Sequence, residues 1–305
     1  MPHYQAYGIP IVAEMELPAL TAAPLSADAL PITVKTGNVP AELAQLPLVQ
    51  NAFVAFNQQE WLYQIPQVAS YYVQNGAEIT IEPLSNNWEQ ILLYFYSNCL
   101  AVALFQHNLL PFHASGVLLP DGRVLLLAAP SRTGKSTTAL KLQERGYAPF
   151  TDDTAVLTVE NGKCYAGASY PMARLWQSTI AQQTVYADHQ KQLLYAETDK
   201  YGFSFHDDFI NHKMEVAGVV FLEATGNEIT VQKLSPVQAL PFLAKNIYRA
   251  HWFDQMNKSV LKFQYLTSIA QTVPTYQATR PQGLPTFETF AEAIETHIIR
   301  SIINT

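Results

Sequence analysis

The sequence predicts an α/β protein in two parts: residues 1–86, rich in β-strand, and residues 87–305, where strands alternate with helices. Three observations predict it. Short apolar runs broken by Pro, Gly and Asn fill the first 84 or so residues. A strand, a polar loop, a helix and another strand follow one another between 123 and 150. The last third carries apolar residues at helical spacing.

In chain order, residues 4–12, 32–34, 61–65, 68–73 and 78–81 read as strands. The period changes near Asn86, which with Glu89 three residues on resembles a capped helix start, and a helix is expected over about 88–106. Its apolar stretch, 91–105, is interrupted by Ser97 and Asn98 and is too short to span a bilayer, so it reads as a buried helix. Residues 113–119 and 123–128 form strands around the turn Pro120-Asp121-Gly122. A helix over 135–145 ends at Gly146, and a strand covers 147–150. Strand, helix and strand at this spacing make a βαβ unit with parallel strands. A hairpin turns at Asn161-Gly162, 217–222 is a buried strand, and the C-terminal third is helical, including 236–252 and 286–303. Phe287, Phe290, Ile294, Ile298 and Ile302 share one helical face, which would bury against the core or against another subunit and leaves a homo-oligomer open. Its other face carries Glu288, Glu292 and Glu295, not the basic residues of a membrane-lying helix.

Composition excludes several classes. The 305 residues are 49% apolar and 14% charged, with a net charge of −7 and no run of Lys or Arg, so a nucleic-acid partner is not expected. Cys99 and Cys164 have neither metal nor disulfide spacing. The N-terminus lacks the basic and apolar regions of a signal peptide, and a cytoplasmic protein is expected with no membrane contact.

The chemistry concentrates between 113 and 153. Ala129, Pro130, Ser131, Arg132, Thr133, Gly134, Lys135, Ser136 and Thr137 fit the P-loop pattern, with Ala129 in place of the first Gly. Such a loop wraps N–H groups around phosphate oxygens at a helix N-terminus, where the dipole favours anions. Lys135 would reach the β- and γ-phosphates of ATP, Ser136 would ligate Mg²⁺, and Gly134 allows close approach. If Leu119 pairs with Arg123 across the turn, paired residue numbers sum to 242, which sets His113 opposite Ala129 beside the phosphates. Asp152 and Asp153 follow the next strand, and ligands of open α/β sheets bind beyond the carboxyl ends of strands. One carboxylate can serve Mg²⁺ and the other can take a proton from an attacking hydroxyl.

His113-Ala-Ser-Gly116-Val117, the loop, Arg145-Gly146-Tyr147 and Asp152-Asp153 together resemble the signature of the HPr kinase family over about residues 110–160. More loosely, the whole chain is similar to the HPr-kinase-like proteins of bacterial peptide-modification clusters, including the lasso-peptide kinases, with Arg174-Leu175-Trp176 and Lys200 as further points of likeness. The resemblance implies an HPr-kinase/PEP-carboxykinase-like kinase domain behind a smaller β-rich domain. It implies that Asp152 is the general base, that Lys135 and His113 hold the transferring phosphate, and that Ser136 and Asp153 serve the metal. Arg174 could neutralise phosphate charge or pack as a structural residue beside Trp176. The family has a Glu two residues before its Arg; Met172 stands there, so that carboxylate ligand and the reverse, phosphate-removing activity are not implied. His206, Asp207, Asp208 and His212 are too irregularly spaced for a metal site and read as a polar loop.

The expected reaction is transfer of the γ-phosphoryl group of ATP to a serine of a peptide or protein. The rivals are a kinase of a small hydroxylated metabolite and a nucleotide-binding module without transfer. No His-Arg-Asp or Asp-Phe-Gly motif of the eukaryotic-type kinases is present.

Overall fold

A computed structural model describes residues 1–24, 30–180, 185–186, 191–193, 199–206 and 209–304. The chain divides into two compact units, Met1–Pro111 with Tyr248–Phe263, and Phe112–Ile247 with Gln264–Thr305. The helix after Asn86 belongs to the first unit, whereas the change of period in the sequence suggests a boundary before it.

The first unit is a mixed sheet. Among the described residues its strands run in the order Thr21–Ala22, His3–Ala6, Ile9–Ala13, Ile32–Thr36, Glu78–Pro83, Ala69–Gln74, Glu60–Ile65, Val54–Phe56, Val49–Gln50. The apolar run at 4–12 resolves into a hairpin because Tyr7 and Gly8 both take positive φ, the backbone of a two-residue hairpin turn. Trp61, Tyr71 and Phe56 fill the core, and the Tyr71 hydroxyl donates to the carbonyl of Ile91 at 2.8 Å, tying the sheet to the helix. That helix runs Trp88–Tyr94, Phe95–Cys99 and Leu100–Gln106 with one wider turn in the middle, and it is buried as expected. Its cap is Asn87, whose side chain accepts from the N–H of Gln90 at 3.1 Å, and not Asn86. Among the described residues no helix is long and apolar enough to cross a membrane.

Glu60 is a buried carboxylate in this unit, 2% exposed. It accepts from Tyr72 Oη at 2.5 Å, Asn57 Nδ2 at 3.0 Å and the N–H groups of Ala44 and Gln45 at 2.9 and 3.0 Å. Burial pushes its carboxyl up, but the hydrogen bonds outweigh burial and hold it below the ordinary carboxylate value. A depressed pKa stabilises the fold at neutral pH, and that contribution is lost as pH falls through the acid range. Glu60→Ala orphans four donors, so it should cost roughly 2–4 kcal/mol at pH 7 and less at pH 3. Denaturant unfolding of both proteins at the two pH values checks this. An equal cost at both would contradict the charged assignment.

The second unit holds the residues that the sequence singles out. Its sheet runs Ala155–Glu160, Lys163–Ala168, Met214–Ala224, Val124–Ala128, Ala114–Leu118, Pro149–Thr151, and Thr275–Arg280 joins Met214–Ala224 as a further partner. Ala155–Glu160 and Lys163–Ala168 turn at Asn161-Gly162, both at positive φ, as the sequence requires. Val124–Ala128, Met214–Ala224 and Thr275–Arg280 are mutually parallel, so their carboxyl ends meet at one edge. The C-terminal third is not wholly helical: Thr230–Leu234 and Thr275–Arg280 are strands. The C-terminal helical run, Phe287–Ile294 with Glu295–Ile299 and Arg300–Ile303, buries Phe290, Ile294, Ile298 and Ile302 in the unit's own core. Arg145 fastens its other face, through Nε to Glu295 at 2.6 Å and through Nη1 to Glu288 at 2.9 Å.

Candidate functional site

The site grows from the register of three strands. Ala114 pairs with Ala128 and Leu118 with Val124, the pairing the turn length predicts, so His113 falls next to the start of the loop. The same strand pairs on its other side with Pro149–Thr151, Gly116 opposite Thr151. Continuing that register sets Ser115 beside Asp152. The two strands flanking the helix are therefore parallel to each other but not adjacent. The hairpin's first strand, Ala114–Leu118, occupies the slot between them, and the crossover helix passes over it. The strand that leads into Asp152 is next in sequence after the helix but is not the direct neighbour of Val124–Ala128.

A continuous set of contacts results. Lys135 Nζ donates to Ser115 Oγ at 3.1 Å, and Ser115 Oγ donates to Asp152 Oδ1 at 2.5 Å. Asp152 Oδ2 accepts from the backbone N–H of Arg174 at 2.6 Å. The Arg174 guanidinium pairs with Asp153 Oδ2 at 3.0 Å and donates to the hydroxyl of Tyr170. His113 Nδ1 lies 2.8 Å from the Asp153 carbonyl oxygen and 3.9 Å from its carboxylate. A carbonyl can only accept, so Nδ1 carries a proton, and Nε2 is the ring's acceptor when neutral and a donor when charged. Lys135, Asp152, Asp153 and Arg174 are all under 10% exposed. Buried charges of both signs interleave, which offsets their desolvation. The structure thus brings together His113, Lys135, Asp152, Asp153 and Arg174. Arg174 holds both carboxylates, one through its backbone and one through its side chain.

The loop itself leaves the strand at buried Ala129 and is exposed at Pro130, Ser131 and Arg132. Thr133, Gly134, Ser136 and Thr137 are half-buried, and the helix Lys135–Glu144 starts after Gly134. The expected strand–loop–helix context is present. Thr137 Oγ1 lies 3.3 Å from Thr179 Oγ1, and the Arg132 guanidinium sits 5.2 Å over the Trp176 ring. Gly134 has φ 104°, and a Cβ there would lie 2.4 Å from Cε1 of Phe287. Glycine is required first for its backbone and then for the packed ring. Gly134→Ala should lose about 1–2 kcal/mol of stability from the backbone alone. Adding Phe287→Ala relieves only the collision, so calorimetric melting of the double variant should not return to that of Phe287→Ala. Full recovery would show that the backbone at Gly134 is unstrained by a side chain.

Three contributors escape the sequence reading: Ser115, Arg280 and Phe287 in its contact with Gly134. Ser115 lies two residues after His113, on the same strand face, and that alternation is a signal for it. Arg280 ends a strand whose Thr, Tyr and Thr residues have β character, and a parallel strand delivers its last residue to the ligand edge. Lys200 lies in the strand Lys200–Ser204, paired in register with Trp176. His206 and His212 are exposed, and Asp207 and Asp208 lie outside the described residues. No group of three or more His, Cys, Asp or Glu side chains could hold a metal among the described residues. Ser136, Asp152 and Asp153 offer oxygen donors, which suit a hard cation carried in with phosphates rather than an all-protein cage.

No protein-family model and no curated protein matches the chain. Among solved structures it is similar to the Hpr(Ser) kinase/phosphatase from Coxiella burnetii, at 12% identity and a TM-score of 0.33, covering 63% of this chain and 97% of that one. The likeness is loose, and the reading of the site rests on the site's own residues.

Proposed function

We propose that the chain is an ATP-dependent kinase that transfers the γ-phosphoryl group to a serine hydroxyl of a peptide or protein. One observation carries the reading. The Ser115 hydroxyl sits between the Asp152 carboxylate and the Lys135 ammonium, at the start of a helix that follows a loop of P-loop sequence. An acceptor hydroxyl needs the same neighbours: a base for its proton and a cation on the phosphate it attacks.

In this mechanism the N–H groups at the helix start take the phosphate oxygens, where the dipole favours anions. Lys135 exchanges Ser115 for the phosphate chain. Asp152, steadied by the Arg174 N–H, accepts the proton as the acceptor oxygen bonds to phosphorus and the bond to ADP breaks. His113, oriented by the Asp153 carbonyl, adds a donor to the transferring group when protonated. Ser136 and Asp153 would hold Mg²⁺, whose role would be to neutralise charge on the phosphates, and Asp153 would keep its pairing with Arg174.

The test is incubation with Mg²⁺ and ATP labelled in its γ-phosphate, against serine-containing peptides and against small hydroxylated metabolites. Label on peptide serine is the expected outcome. Label only on metabolites moves the acceptor to the small-molecule class, and label released only as phosphate reduces the chain to an ATPase. No turnover of ATP under any condition contradicts the proposal.

A further inference from the structure

We propose that Arg280 is a positioning residue of the phosphate site, a second buried cation whose counter-charge arrives with the phosphate chain of the nucleotide. The inference rests on reading the 129–137 loop as the nucleotide site.

Arg280 is the last residue of the strand Thr275–Arg280, third in the parallel series from Val124–Ala128. Ala128 is level with Phe221, and Phe221 with Gln277, so Arg280 projects past the strand end to the height of the loop. It is 7% exposed. One terminal nitrogen donates to the Thr133 carbonyl and the other to the carbonyl of Pro281, both at a long 3.3 Å. Its guanidinium carbon lies 3.9 Å over the Phe287 ring. A terminal nitrogen is 3.4 Å from where a Cβ on Gly134 would stand.

All of these partners are neutral. Among the described residues no carboxylate forms an ion pair with Arg280, whereas Arg174 has Asp153 and Lys135 reaches Asp152 through Ser115. Burial pushes the Arg280 pKa down, yet a guanidinium stays charged at neutral pH. A buried cation without a counter-ion is costly, and two long hydrogen bonds to carbonyls compensate it poorly. The charge is nevertheless kept against Thr133 and Gly134, where the N–H groups of the helix start also favour an anion. Loop, helix and Arg280 therefore add up to a site that a polyanion neutralises. Because Arg280 touches the loop's carbonyl side, it acts through the loop and the local field. Phe287 fixes the plane of the guanidinium and also closes on Gly134, so one ring holds both cation and loop in place.

Losing a charge that acts this way weakens a ligand that brings phosphate charge and spares an uncharged one, whereas a packing defect weakens both alike. Titration calorimetry of the full chain with Mg·ATP and with adenosine separates the two. Arg280→Gln should weaken Mg·ATP by about 10- to 100-fold and adenosine by less than about threefold. Thermal melting checks that the variant is folded. Mg·ATP affinity within about twofold of wild type, or an equal loss for both ligands, overturns the proposal. If Arg280→Gln does not fold, Arg280→Lys serves instead. Keeping the charge, it should preserve the wild-type ratio of the two affinities to within about threefold, and collapse of that ratio overturns the charge assignment. A wild-type chain that binds no Mg·ATP overturns the nucleotide reading itself, an outcome distinct from a wild type that binds and is indifferent to Arg280.

Discussion

Lys135→Ala is expected to reduce phosphoryl transfer by at least about 10²–10³-fold, the range for removing a single donor to developing charge. The side chain is 6% exposed and donates to Ser115 Oγ at 3.1 Å, at the start of the helix that follows the loop. Its removal takes a positive charge from the phosphates while the Ser115–Asp152 hydrogen bond can persist. The variant should fold and bind Mg·ATP more weakly. Unaltered affinity together with unaltered transfer would remove the loop from the mechanism.

Asp152→Asn is the second large effect. General-base assistance is worth about 10²–10⁴-fold, or roughly 3–5 kcal/mol, so turnover should fall by that range while Mg·ATP affinity changes little. The geometry allows the substitution. An Asn carbonyl can accept the Arg174 N–H and its amide can donate to Ser115 Oγ, a hydroxyl with two lone pairs. Asp153→Asn differs, because it strips the counter-charge from buried Arg174 as well as a metal-side oxygen. Added Mg²⁺ should partly restore the Asp153 variant and leave the Asp152 variant slow. The opposite pattern would exchange the two roles, and wild-type rates in both would remove the pair.

Local features of this fold were legible because short-range chemistry decides them. Turn length alone fixed the pairing of 113–119 with 123–128, and Asn161-Gly162 announced its hairpin. The first of these readings brings His113 to the loop without any knowledge of the sheet. The order of strands was not legible. Nothing in residues 135–151 says whether their helix crosses over one strand or none, and the answer decides that Ser115, not empty space, separates Lys135 from Asp152. Thr275–Arg280 was lost for a related reason: six residues between two helices carry too little periodicity to stand out, and Arg280 went with them. The helix at 88–106 was read correctly as buried, and the change of period near Asn86 marks where it starts, while its packing against the strand Ala69–Gln74 groups it with the first unit.

A structure of the chain with Mg²⁺ and a non-hydrolysable ATP analogue would settle the most. The triphosphate should lie against the N–H groups of Gly134, Lys135 and Ser136, with Lys135 Nζ moved off Ser115 onto a phosphate oxygen and Asp152 facing the terminal phosphate. A nucleotide bound elsewhere, or one bound at the loop with Lys135 still on Ser115 and Asp152 turned away, would contradict the kinase reading.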